Sequence, residues 1–257
     1  MYQLAGRHVA VHGKGAPRRV TSALKLTLVV VAMIIIGGAL SSEAQAAAAF
    51  DVGVIPATRS CPFGSEAIII RMDDEDSSNR NDRGGFIGAI VSNSNTEFFF
   101  CRVNGLSLRG FQPGGPGTAT LPYAVLKLGN FCPNGSLEFT RRFDNEDKNN
   151  KNFSVGDIFP NVSNSNTELK FCLFFSASQG TMSSFPNFGV SYGVFTKSVA
   201  ERGFVRTDDE DSSNNNGYVV DPVFASVAQS LVSAGDNTLG SNRARSVKRK
   251  LTAAPWG

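Results

Sequence analysis

Residues 61–101 and 132–172 align without a gap at 21 identities in 41 positions, so the chain carries a tandem duplication with a period of 71 residues. A repeat of this length is one supersecondary unit used more than once, each copy covering its neighbour's apolar face, with atypical copies at the ends. Both copies open with Cys-Pro-x-Gly-Ser, run through Arg-x-Asp-x-Glu-Asp-x-x-Asn-x-Asn, and close with Ser-Asn-Ser-Asn-Thr-Glu before the second cysteine. A third, partial copy spans 192–221: "YGVFTKS" at Tyr192 echoes "YAVLKLG" at Tyr123, and Asp208–Asn214 repeats Asp73–Asn79 letter for letter. It reads as lacking both cysteines and the second half of the unit.

Within each copy the apolar residues alternate or form short blocks rich in Ile, Val and Phe, bounded by Gly, Asn and Pro, which is the pattern of strands. The period of two puts Ile68, Met72, Phe139 and Phe143 on one face and Arg71 and Arg142 on the other. A second strand in each copy, "TEFFFCRV" and "TELKFCLFF", turns Phe98, Phe100, Leu169 and Phe171 inward. The 20 phenylalanines are then the filling between sheets. One helix is expected in 223–234, with Asp221 as its cap, Pro222 at its first position, and Val223, Phe224, Val227, Ala228 and Leu231 on one face. Residues 47–222 suffice for one core. The expected fold is a single all-β domain, an antiparallel β-sandwich with pseudo-repeat symmetry; a closed barrel or a pseudo-three-fold β arrangement is the alternative. Residues 235–257 read as a basic, flexible tail.

The first 46 residues read as a signal peptide: Arg7, Lys14, Arg18, Arg19 and Lys25 precede the apolar run Leu26–Leu40, and the small-residue site Ala44-Gln45-Ala46 follows. That run is shorter than the ~20 residues of a spanning helix, so cleavage before Ala47 is expected, with no stable membrane span afterwards and a secreted, cell-surface or periplasmic location. Retention as an anchor is the other possibility. Both histidines, His8 and His12, lie in this segment, so residues 47–257 contain none. A Ser-His-Asp or Cys-His nucleophilic site is thereby excluded there, as is an imidazole metal site. From Ala47 onward 20 basic residues face 21 acidic ones, a net −1, and up to Gly240 the balance is 15 against 21, or −6. An acidic body gives no support to nucleic-acid binding.

The two cysteines of each copy stand 40 residues apart, and an exported chain meets an oxidising compartment. The expected disulfides are Cys61–Cys101 and Cys132–Cys172; a bridge between copies such as Cys101–Cys132 is the alternative. Four-cysteine zinc binding is disfavoured because no pair has the short spacing of such sites.

Aligning the three copies leaves a common set of oxygen-bearing residues: Asp73, Glu75, Asp76, Asn79 and Asn81; Asp144, Glu146, Asp147, Asn150 and Asn152; Asp208, Glu210, Asp211, Asn214 and Asn216. Three carboxylates within four residues repel one another unless a cation or an arginine compensates, and Ca²⁺ takes oxygen ligands of these kinds. The spacing is not that of an EF-hand loop. Asp and Asn also dominate plain solvated turns, where they bond their own backbone, and Arg71, Arg142 and Arg206, two residues ahead of each first Asp, offer compensation without metal. The Ser-Asn-Ser-Asn segments place Asn95 and Asn166 within reach of the loops. Three Asn-x-Ser triplets, at Asn134, Asn152 and Asn161, are expected by chance in so Asn- and Ser-rich a chain.

Function follows as three ranked expectations. The first is a secreted or cell-surface non-enzymatic module for binding or assembly, displaying acidic loops to a surface or matrix partner, with Ca²⁺ as the candidate cofactor. The second is a structural envelope or coat protein without metal. The third is a carboxylate-based hydrolase such as a glycosidase. That last reading has little support, since Trp256 is the sole tryptophan and only Tyr123, Tyr192 and Tyr218 could form a sugar-stacking platform after Ala47.

Overall fold

The structure, a computed structural model, describes residues 48–74, 81–85, 91–92, 95–158, 165–196, 203–207, 215–232 and 247–253. These belong to one compact unit, Gln45–Gly257. The signal-peptide expectation falls outside the described residues.

The chain is all-β and antiparallel in its main sheet, as the local patterns predict. Among the described residues fifteen strands follow in order: β1 Asp51–Pro56, β2 Ala67–Asp73, β3 Asp82–Gly85, β4 Val91–Ser92, β5 Asn95–Asn104, β6 Gly110–Phe111, β7 Tyr123–Lys127, β8 Ser136–Asp144, β9 Phe153–Val155, β10 Asn166–Phe174, β11 Thr181–Met182, β12 Tyr192–Thr196, β13 Gly203–Thr207, β14 Gly217–Val219 and β15 Val247–Ala253. A 3-10 turn, Pro222–Phe224, and the short helix α1, Ala225–Leu231, lie between β14 and β15. Asp221 caps the turn by accepting from Val223 N–H at 3.0 Å. Ala228 and Leu231 are buried as expected, but Val223 is exposed, because it sits in the 3-10 turn and the turn's period differs from that of the helix.

Three inner strands make a pinwheel. Val52 and Gly53 of β1 pair with Lys127 and Leu126 of β7. Ala124 and Tyr123 of β7 pair with Phe195 and Thr196 of β12. Gly193 and Tyr192 of β12 pair with Ile55 and Pro56 of β1. The first half of each strand thus meets the last half of the next, in one register throughout. The equivalent positions Gly53, Ala124 and Gly193 are all small, and a Cβ built on Gly53 would stand 3.2 Å from Leu126 and Phe100 atoms. A close strand crossing explains the choice.

Each inner strand begins a four-stranded blade. The first is β1-β5-β2-β9, the second β7-β10-β8-β14 and the third β12-β15-β13-β3. The third blade corrects the reading of its repeat as truncated and of the tail as wholly flexible. Thr207 pairs with Val247 as Met72 pairs with Thr96 and Phe143 with Thr167. Gly193 pairs with Ala253 as Gly53 pairs with Arg102 and Ala124 with Leu173. Val247–Ala253 therefore occupies the place of Thr96–Arg102 and Thr167–Leu173. The pairings describe the pseudo-three-fold arrangement.

The outermost strand of each blade comes from another repeat. Arg71 of β2 pairs with Phe153 of β9, Arg142 of β8 with Gly217 of β14, and Arg206 of β13 with Asp82 of β3, again in one register. Each of these outer strands directly follows an acidic loop, so every loop crosses from its own blade to a neighbouring one, and the exchange closes on itself.

The core lies between the blades. Phe195 of the third packs at 6.4 Å from Phe98 and from Phe100 of the first and edge-on at 5.4 Å against Phe171 of the second. All of the inward residues expected from the period-two pattern, Ile68, Met72, Phe98, Phe100, Phe139, Phe143, Leu169 and Phe171, are buried. Each such side chain stabilises by about 1.5–3 kcal/mol relative to exposure. Disulfides Cys61–Cys101 and Cys132–Cys172 form within copies, with Cα atoms 5.4 Å apart in each. In the chain-entropy account each adds roughly 4 kcal/mol. Among the described residues no helix is long and apolar enough to cross a membrane.

Candidate functional site

The acidic loops begin where β2, β8 and β13 end. The second, between β8 and β9, is described in full. In the first, Asp73 and Asn81 are described and Glu75, Asp76 and Asn79 lie outside the described residues; in the third, Asn216 is described and Asp208, Glu210, Asp211 and Asn214 lie outside them.

In the first two loops the first Asp points inward to the neighbouring repeat. Asp73 is buried; its Oδ2 accepts from Lys151 N–H at 2.7 Å, and its own N–H donates to Asn152 Oδ1 at 2.6 Å. Asp144 is buried in the same way; its Oδ2 accepts from Asn215 N–H at 2.9 Å, and its N–H donates to Asn216 Oδ1 at 3.3 Å. Lys151 and Asn152 end the second loop, and Asn215 and Asn216 the third, so one Asp holds the incoming end of the next repeat's loop. The two joints are equivalent by the repeat alignment. In the first, Glu146 N–H also donates to the Asp73 carbonyl at 2.8 Å. Hydrogen bonds to an ionised acceptor are worth about 1.5–3 kcal/mol, which makes these joints matter for assembly of the blades.

The residues after Asp73 and Asp144 are buried as well. Asp74 Oδ2 accepts from Asn81 Nδ2 at 2.8 Å and from the Thr96 hydroxyl. Its counterpart Asn145 accepts at Oδ1 from Asn152 Nδ2 at 3.0 Å and from Thr167 Oγ1 at 2.6 Å. Asp74 and Asn145 thus tie the final Asn of the loop to a Thr of the adjacent strand. Sequence alignment passed over this position because its residue type changes between copies.

What remains of the second loop faces outward. Glu146 is half-buried, and Asp147 is exposed. Asn150 closes the turn, donating from Nδ2 to the Glu146 carbonyl at 2.7 Å and accepting from Asn152 N–H at 2.7 Å. Among the described residues no group of three or more Asp, Glu, Cys or His side chains is placed to hold a metal ion. The geometry divides the candidate set, sending the first Asp and last Asn into joints and leaving Glu146 and Asp147 at the surface.

Arg71 and Arg142 do less than expected for the loops, and the Arg206 side chain lies outside what the structure describes. Arg142 stands opposite Glu168, with Nε 4.0 Å from Oε1, and both are largely exposed. Arg71 lies over the Phe153 ring at 5.7 Å and donates from Nη2 to Asn95 at 3.1 Å once the Asn95 amide is oriented to match its neighbours; that amide then donates to Asp73. Asn95 does approach the loop, and Asn166 pairs directly with Asp144 in the strand register.

Two features went unread in the sequence. Arg141 is fully buried between the Phe143 and Tyr218 rings, 4.5 and 4.9 Å away, and donates from Nη2 to Asn216 Oδ1 at 2.6 Å. Its parity with Phe139 and Phe143 was the available signal. Arg102 is a second joint between the first two repeats: Nε meets Glu66 Oε2 at 2.8 Å, Nη1 meets Asp51 Oδ2 at 3.2 Å, and Glu66 Oε1 accepts from Asp157 N–H at 2.8 Å. Burial raises the Asp51 pKa above its usual value, against the lowering effect of Arg102. Nothing in the spacing of these residues announced the cluster.

The chain belongs to the family described as Bacterial ApeC, whose family model matches residues 36–181. The match takes in the first two repeats and stops short of β12. No curated protein matches the chain, and no solved structure does.

Proposed function

We propose that this member of the Bacterial ApeC family is a non-enzymatic binding or assembly module working outside the cytoplasm, secreted or at a cell surface, in which the acidic loops act first as joints between repeats. The observation that carries this reading is the equivalence of the joints at Asp73 and Asp144, each carboxylate accepting a backbone N–H of the next repeat. An active site needs unlike groups converging on one reacting atom, whereas these groups recur at two equivalent places in the fold. Two disulfides within the repeats support an oxidising location. The joints at Asp73 and Asp144 are made by hydrogen bonds between protein groups, so calcium has no part in this reading of them.

An array of glycans and matrix components, probed with the secreted chain in calcium and again in chelator, tests the reading. Saturable signal on one class of component, retained in chelator, is the expected result. Silence in both conditions favours a purely structural coat protein, and turnover of an arrayed glycan overturns the non-enzymatic reading.

A further inference from the structure

The first two blades carry different outer faces. In the first, Glu97, Arg71 and Phe153 stand in one row across β5, β2 and β9, and Phe99, Ile69 and Val155 in the next. The equivalent rows of the second are Glu168, Arg142 and Gly217, then Lys170, Thr140 and Val219. Phe99, Ile69 and Phe153 thus make the first face apolar where Lys170, Thr140 and Gly217 leave the second polar. That apolar surface opens at its edge, with Phe153 39% and Val155 50% exposed. The charges differ as well. Glu168 meets Arg142, whereas Glu97 is taken by Arg59, and Arg71 makes no ion pair among the described residues. Instead the Arg71 guanidinium extends over the Phe153 ring, 5.7 Å from its centre. β9 pairs with β2 along one side only, and among the described residues no backbone group of Phe153, Ser154 or Val155 bonds elsewhere.

We propose that β9 is the docking edge for an extended acidic peptide, which joins the first blade as a fifth strand and lays a carboxylate against Arg71 and an aliphatic side chain against Val155. Alternate residues of an edge strand turn their N–H and C=O groups away from the paired side, and an added strand satisfies them. Sheet edges are ordinarily blunted by Lys, Pro or a bulge, and β9, Phe-Ser-Val in unbroken register, has none of these. Three residues supply few main-chain bonds, so the exposed side chains have to add affinity as well as specificity. A partner residue directly opposite Phe153 stands roughly 4.5–5.5 Å from it, within reach of the guanidinium above that ring. A carboxylate there gives Arg71 the ion pair that Glu168 gives Arg142 in the second blade. A second copy of the chain fits less well: a stable interface takes about 800 Å² from each partner, and a three-residue edge offers a fraction of that. Phe153 and Val155 take no part in the joints at Asp73 and Asp144, so the inference stands apart from what the loops do.

The test titrates the full chain with a labelled peptide, Thr-Val-Thr-Glu-Thr-Val-Thr, whose Val, Glu and Val share one face and set Glu opposite Phe153 and Val opposite Val155 in either direction. Companion peptides carry Lys in place of Glu, or N-methyl groups on alternate amides in one phase or the other. The Glu peptide is expected to bind about five-fold more tightly than the Lys peptide. One methylation phase should abolish binding and the other spare it, since only alternate N–H groups face β9. Phe153→Ser is expected to melt within about 3 °C of the parent and to bind ~10-fold more weakly, and Arg71→Gln to bind the Glu and Lys peptides alike. No binding by the parent, equal affinity of the parent for both peptides, or indifference to both methylation phases would overturn the assignment. So would a parent that dimerises and loses the dimer in Phe153→Ser, which would give the edge to a second copy.

Discussion

Asp144 and Asp147 are three residues apart in one acidic run, yet only Asp144 is buried and joined to the next repeat. Asp144→Ala leaves the Asn215 N–H without its acceptor and is expected to cost about 2 kcal/mol in denaturant unfolding, whereas Asp147→Ala should stay within roughly 0.5 kcal/mol. Similar losses for both would show that the run acts as a diffuse charge patch. The sequence marked both residues but could not rank them, because burial of the first depends on a loop arriving from another repeat. A second expectation concerns acid. Burial alone would raise the pKa of Glu138, but hydrogen bonds from the nearly buried Lys127 and from Lys170 hold it below the usual 4.5. A carboxyl lowered by folding contributes stability above its unfolded pKa and loses it as pH falls through the lower folded value. Unfolding of parent and Glu138→Gln compared from pH 7 to pH 3 should therefore show a gap that narrows below about 4.5. A gap independent of pH would remove the ion pair from the explanation.

Strand identity was legible wherever side chains alternate, as in β2, β5, β8 and β10, and the 40-residue cysteine spacing gave both disulfides. What alternation cannot give is the partner of a strand. The donated strands β3, β9 and β14 are three or four residues long, too short for a periodic signal, and their pairing is set by the loops that deliver them. β15 was missed for another reason: "VKRKLTA" keeps neither the cysteine nor the Asn-rich lead of its counterparts, and α1 with its flanking chain lies between it and β14. The loops carry the matching prediction. Millimolar calcium against chelator at constant ionic strength should move the melting temperature by less than about 1 °C, where a ligand at 100 times its dissociation constant would add about 2.7 kcal/mol and several degrees. A calcium-dependent rise abolished by Glu146→Gln with Asp147→Asn would put a cation back into the second loop.

Within residues 45–257 the strand exchanges form a ring in which every repeat depends on another for its outer strand, so removal of one repeat would leave an unpaired edge in its neighbour. The ring is complete only if the chain's last strand supplies the middle of the third blade, which is the claim on which the three-fold account rests. The most direct measurement is cysteine cross-linking of Arg206→Cys with Lys248→Cys, which the register places directly opposite one another. Oxidised under native conditions and mapped by peptide mass, this pair is expected to link within one chain far more completely than Arg206→Cys with Lys250→Cys, which sits one step along the same face. Equal linking of the two pairs, or none in either, would contradict β15 as the third repeat's second strand and with it the closed three-fold ring.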